Sequence, residues 1–388
     1  MDIKKLPLLA RVVIAIVLGI GLGLVAPDVV VRAFNTFNGI FDQLLKFLIP
    51  LIIVGLVTSA IADVGSQARR LLVITASMAY GATILSGLYS YVLSDLVFPR
   101  VISPDMFTSM EDAGRDLAPY FTITIPPLMD VMTSLVCAFL LGLGIAAFGA
   151  NTLKTASDEF KDIVTHTIEH VIIPLLPVYI FGLFLDMTAG GKVRPVLASF
   201  VQVIVIIFVM TVVLLLLQFC VAGLVVRRSP LKLLRGMLPA YFTALGTASS
   251  AATIPVTLKQ TRENGVSDEV AGFVIPLCAT IHLSGSTLKI VACAIAFMLM
   301  SGMHYDFPLM LGFIFLLGIT MVAAPGVPGG AIMAALGILE SILGFDAEQQ
   351  AMIITLYIAM DSFGTACNVT GDGAIALIID RLARKKEA

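Results

Sequence analysis

Four residues near the C-terminal end of the chain, Asp361, Thr365, Asn368 and Asp372, fall at spacings of 4, 3 and 4. On a helix that spacing lines one face. A second set, His282, Ser286 and Lys289, is spaced 4 and 3 and reads as another such face. Both sets sit in strongly apolar surroundings. An ionisable group at membrane depth costs at least about 2.5–3.5 kcal/mol on insertion scales, so such groups mark a solute or ion path, or a salt bridge that fixes helix register. Acid–base catalysis by Asp361 and Asp372 is a poor fit, because eleven helical residues separate them by about 16 Å.

The elements that must position these residues are interrupted ones. Short apolar arms within 237–258 meet at Gly246-Thr247-Ala248-Ser249-Ser250-Ala251-Ala252-Thr253-Ile254-Pro255, and arms within 307–344 meet at Ala324-Pro325-Gly326-Val327-Pro328-Gly329-Gly330. A chain that turns back inside a membrane leaves N–H and C=O groups unpaired, which is tolerable only against protein or a water-filled cavity. Paired Gly/Pro-interrupted segments point to a transporter's solute site, and two tips meeting at mid-depth suit a gated pocket better than an open channel. Segments 268–302 and 347–380, which follow the two hairpins, carry the ionisable sets.

Composition agrees. Of 388 residues, 59% are hydrophobic and 13% charged, too few charges to cover a soluble surface. Six further apolar runs, at roughly 8–26, 38–62, 71–98, 119–149, 163–189 and 196–226, are long enough to cross a bilayer. Segment 151–162 reads as a solvated, charged loop. Lys4, Lys5, Arg69, Arg70, Arg227, Arg228, Arg384 and Lys385 alternate with the acidic loop 99–118, which places both termini in the cytoplasm of a multi-pass protein of the cell (plasma or inner) membrane. The net charge of −2 excludes a nucleic-acid partner. The five cysteines lie in apolar runs without a CxxC pair and read as buried thiols. No Walker loop, HExxH or GxSxG motif advertises an enzyme, and no cofactor is expected.

The serine tip Ser249-Ser250-Ala251-Ala252-Thr253-Ile254-Pro255-Val256-Thr257, the tip Gly326-Val327-Pro328-Gly329-Gly330-Ala331-Ile332-Met333 and Asn368-Val369-Thr370-Gly371-Asp372 resemble, in order and spacing over 231–382, the dicarboxylate/amino acid:cation symporters of the glutamate-transporter fold. The resemblance implies an all-α membrane protein: eight transmembrane helices plus two re-entrant helical hairpins, inverted repeats, and an elevator-type homotrimer. It divides the chain into scaffold spans one and two (1–70), a mobile third and a scaffold fourth span (71–150), a scaffold fifth (151–195), a mobile sixth (196–228) and a transport core (229–388). By position, Asp361 is the implied ligand for a solute ammonium and Asn368 for its α-carboxylate. Main-chain groups around Ser249 and Ser250, and over Val327, Pro328 and Gly329, would close on the solute, with Thr365 beside it.

The departures from the family pattern carry the functional expectation. Where members that take acidic solutes have arginine, this chain has Ala248 and Gly364, and no arginine occurs from 263 to 380. A second solute carboxylate would be buried unpaired at high cost unless Lys289 met it, so a small neutral amino acid is favoured. The family's sodium-ligating stretch reads His282-Leu283-Ser284-Gly285-Ser286, and Met321, Ala324, Met78 and Ala79 stand at hydroxyl positions. Only Asn368 and Asp372 remain as sodium ligands, if sodium is retained. The coupling ion is therefore a proton or sodium, with His282, Ser284, Lys289, Asn368 and Asp372 the implied coupling residues. Three alternatives remain: a His282–Asp372 pair that carries a proton where sodium stood, a permanent His282–Asp372 or Lys289–Asp372 pair in an uncoupled exchanger, and a reduced sodium site.

Overall fold

A computed structural model describes residues 7–64, 69–102, 117–191, 193–324 and 328–384. The described residues form helices and no strand. These are α1 (Leu8–Gly23), α2 (Asp28–Val64), α3 (Arg69–Val97), α4 (Val131–Phe148), α5 (Asn151–Thr167), α6 (Ile173–Ala189), α7 (Val193–Val226), α8 (Pro230–Thr247), α9 (Ser250–Glu263), α10 (Asp268–Ile281), α11 (Ser284–Met300), α12 (Phe307–Val322), α13 (Gly330–Leu343), α14 (Ala347–Ala359) and α15 (Asp361–Arg384). Among the described residues, seven helical stretches are long and apolar enough to cross a membrane. The chain is a multi-pass, all-helical membrane protein. Lys4, Lys5, Lys385, the acidic stretch 103–116 and Val327 lie outside the described residues.

Helices that are apolar all round belong in the interior. α11 follows that rule: from Ser284 to Met298 every residue is buried. By contrast α7 and α1 leave Val201, Val205, Val17 and Leu18 exposed, a surface suited to acyl chains. α15 is the hub of the second half and packs against α7, α8, α9, α10 and α11. α1, α2, α4, α5 and α6 pack mainly among themselves, and α13 reaches them through α2 and α4.

Three expectations fail. Residues 117–130 are not the start of a span, and the helix begins only at Val131. Two consecutive prolines, Pro126-Pro127, remove two adjacent N–H donors and disfavour a helix there, and the non-helical backbone finds its partners on α2. Arg32 and Asn35 donate to the carbonyls of Ala118 and Leu117, while Thr36 Oγ1 and Gln43 Oε1 accept from the N–H groups of Tyr120 and Ile125. Segment 151–162 is not a loop but most of α5. Phe160 and Val164 pack where Gly55 of α2 leaves room, and the charged Asp158 accepts a 2.6 Å hydrogen bond from Ser59 on α2. A π turn at Ile168–Ile172 then absorbs the loss of the N–H donor at Pro174. Finally, not all thiols are buried: Cys220 faces outward on α7 and Cys137 is half-buried.

Candidate functional site

In the two interrupted segments that the sequence singles out, α8 packs against α9 and α12 against α13. In the first, Ala248 takes a left-handed φ of 49° and ends α8. Ser249 then caps α9, its hydroxyl accepting from the Ala252 N–H. In the second, Gly329 holds a φ of 77°, a conformation glycine adopts at little cost, and starts α13. The helix through His282 breaks too. His282 is extended and Leu283 lies outside both helices, between α10 and α11, so His282 does not share a helix face with Ser286 and Lys289 as the spacing suggests. A fourth break at Met360 separates α14 from α15.

The breaks converge on a cavity of about 30 Å³, room for roughly two water molecules. Ser250, Ser286, Asp361, Thr365 and Asn368 line it. An amino acid enters only if one wall withdraws. Among the described residues no arginine lines the cavity, and its single carboxylate is Asp361.

Asp361 is held on both oxygens. Its Oδ1 lies 3.5 Å from Lys289 Nζ and its Oδ2 accepts the Gly329 N–H at 2.8 Å, which ties the second tip to α15. Lys289 therefore pairs with Asp361 and not with Asp372. Lys289 also donates to the Met360 carbonyl at 3.2 Å and sits 3.8 Å from the centre of the Tyr357 ring. Gly364 is the clearance for this arrangement, since a Cβ there would overlap the end of the Lys289 side chain.

Asn368 braces the broken helix. Its Oδ1 accepts the Gly285 N–H at 2.7 Å, one of the donors that the start of α11 leaves unpaired, and its Nδ2 donates to Ser286 Oγ at 3.1 Å. Thr365 Oγ1 returns a hydrogen bond to the Asp361 carbonyl. Ser249 does not line the cavity, and no contact places Pro328 there.

One turn deeper, His282 Nδ1 and Asp372 Oδ1 are 2.8 Å apart, both fully buried. His282 Nε2 and Asp372 Oδ2 have no hydrogen-bond partner. Ser284 turns its main-chain oxygen to Ser86 Oγ and its hydroxyl to Gln218 Nε2. Gln218 and His282 both press on Gly371, where either would meet a Cβ at 2.8 Å. Gln218, Ser86, Tyr357 and the Met360 carbonyl escaped the reading of the sequence. For Gln218 the signal was a carboxamide inside an otherwise apolar run. Among the described residues, no group of three His, Cys, Asp or Glu side chains stands ready for a metal ion.

Residues 8–382 match the sodium:dicarboxylate symporter family. A serine/threonine transporter SstT of Acinetobacter baumannii (strain AYE) is 28% identical over 405 aligned positions, with 98% of each chain covered. The protein of the same name from Acinetobacter baylyi is 25% identical over 407 positions, again covering 98% of both chains. A match that runs through both hairpin tips, His282, Asp361 and Asp372 places the whole site inside the family's own frame, and the chain belongs to the sodium:dicarboxylate symporter family.

Proposed function

We propose that this chain is a secondary active transporter of a small neutral amino acid, working by an elevator mechanism in which a proton on the His282–Asp372 pair replaces sodium. The observation that carries the solute reading is the small cavity enclosed by the helix breaks, with Asp361 and Asn368 on its wall and no arginine there among the described residues. A zwitterion needs one acceptor for its ammonium and donors for a single carboxylate. The relatives named for serine and threonine transport fit that size and charge.

The donor set supports the coupling reading. Sodium requires several oxygen ligands. Here Asn368 Oδ1 is engaged by Gly285, and Asp372 Oδ1 by His282. Of the side-chain oxygens of Asn368 and Asp372, only Asp372 Oδ2 is left without a partner. An imidazolium at His282 supplies the positive charge that an ion would otherwise bring. The opposite reading, an uncoupled exchanger with a permanent pair, draws on the same complete burial.

The remaining assignments follow the family frame. α1, α2, α4, α5 and α6 form the scaffold. α3, α7 and residues 229–388 form the moving unit, and α8–α9 and α12–α13 are the re-entrant hairpins, which with eight crossings complete the topology. The protein is a homotrimer of the cell membrane, with both termini cytoplasmic.

Vesicles containing purified protein test the proposal. With L-serine equal on both sides, an inward proton gradient drives accumulation, and a sodium gradient at constant pH does not. Accumulation under the sodium gradient alone overturns the proton reading. Counterflow without accumulation under either gradient supports the exchanger, and absence of saturable counterflow ends the amino-acid reading.

A further inference from the structure

Four helices begin at the cavity, and Ser250, Ser286, Ala331 and Asp361, from the first turns of α9, α11, α13 and α15, line it. Helix N-termini carry partial positive charge and unpaired N–H donors, so the wall is suited to a carboxylate. Asp361 is the only acidic group facing that wall among the described residues, and it is not a bare charge. Lys289 holds it from behind: the lysine is 1% exposed and does not itself line the cavity. The Met360 carbonyl, the Tyr357 ring and the space above Gly364 fix the Lys289 ammonium there.

An incoming ammonium therefore meets an Asp–Lys pair under four helix N-termini instead of an unpaired carboxylate. The solute carboxylate keeps its donors whatever group stands on its C2. We propose that Lys289 makes the solute ammonium dispensable, so that the site takes a small 2-hydroxymonocarboxylate as readily as the amino acid of the same shape. A C2 hydroxyl needs one acceptor, and an Asp361 oxygen lies on the wall to provide it. The inference rests on the reading of the cavity as the carboxylate-binding solute site. It adds that Lys289 is a positioning residue that sets specificity without touching the solute.

Matched solutes test it. L-Serine with L-glycerate, and L-alanine with L-lactate, differ only at C2. Their affinities are read from the thermal stabilisation of purified full-length protein. In the native protein the two members of each pair bind within about tenfold of one another, well short of the 10⁴-fold rejection reached by sites built to pair a lost polar group. Lys289→Met uncovers Asp361, so the amino acid gains at least about tenfold over its hydroxy analogue. Gly364→Ala, which pushes the lysine off Asp361, moves the ratio the same way and stands in if Lys289→Met does not fold. A merely structural lysine would lower both affinities together and leave the ratio alone. A native protein that rejects L-glycerate and L-lactate by more than about a hundredfold overturns the inference and leaves the amino-acid reading intact. Binding of the hydroxy acids without the amino acids supports the inference and overturns that reading. Binding of neither overturns both.

Discussion

His282 and Asp372 meet through one 2.8 Å contact with both side chains closed off from solvent, and each keeps one polar atom without a partner. Removing one member of such a pair leaves its partner uncompensated, which costs about 3–5 kcal/mol. His282→Ala is thus expected to lower the unfolding temperature sharply. The double variant His282→Gln/Asp372→Asn, neutral on both sides, recovers most of that loss. In vesicles the double variant loses accumulation driven by a proton gradient and keeps counterflow. If it still accumulates L-serine under acid outside, the pair does not carry the proton. Sodium supplies the complementary measurement. A bound ion stabilises the folded state by mass action, so sodium added at constant ionic strength should leave the melting temperature of the native protein unchanged. Asn368 belongs to the same scale. Asn368→Ala leaves the Gly285 N–H buried without its acceptor, a loss of about 1–3 kcal/mol, and a change under 0.5 kcal/mol would show that α11 does not rely on it.

At the scale of the element, the breaks are held by their caps. Asp346 and Gln349 close a reciprocal capping box at the start of α14, the helix that ends beside Asp361. Asp346→Ala should cost about 1 kcal/mol of stability in urea unfolding, with solute affinity unchanged, and Asp346→Asn should recover most of it. The helix breaks between Thr247 and Ser250 and between Val322 and Gly330 were legible in the sequence because Gly, Ser, Thr and Pro collect where a helix cannot continue. The start of α4 was not. Its apolar composition over 119–130 looks like a span, and the groups that make it a strap, Arg32, Asn35, Thr36 and Gln43, stand far upstream on another helix. α5 was missed for the opposite reason. Its charges suggested solvent, while Leu153, Phe160 and Val164 already trace one helical face. In the site, spacing alone joined His282 to Lys289, and only the break at Leu283 separates them onto different carboxylates.

For the whole molecule, the elevator reading requires the unit that holds the cavity to slide against α2 and α4. The contact is made in part by Gly337 of α13, where a Cβ would meet Ile49 of α2 and Val131 of α4. A glycine there brings two helices into close approach without interlocking side chains, which suits a surface that must slip. It also offers a lock. Ile49→Cys and Val131→Ala remove the two side chains that a Cβ at 337 would strike, so Ile49→Cys/Gly337→Cys on a Val131→Ala background places two thiols within disulfide reach. Cys220, exposed, and Cys137, half-buried, are first replaced by serine to prevent other pairings, while the buried Cys278, Cys293 and Cys367 remain. Oxidation of the pair should abolish L-serine counterflow in vesicles, and a reductant should restore it. Binding by the locked protein persists on the side left open, because the cavity itself is not strained by a link between α2 and α13. If the oxidised protein still exchanges solute at the reduced rate, α13 does not move past α2, and a gate that opens in place must replace the sliding unit.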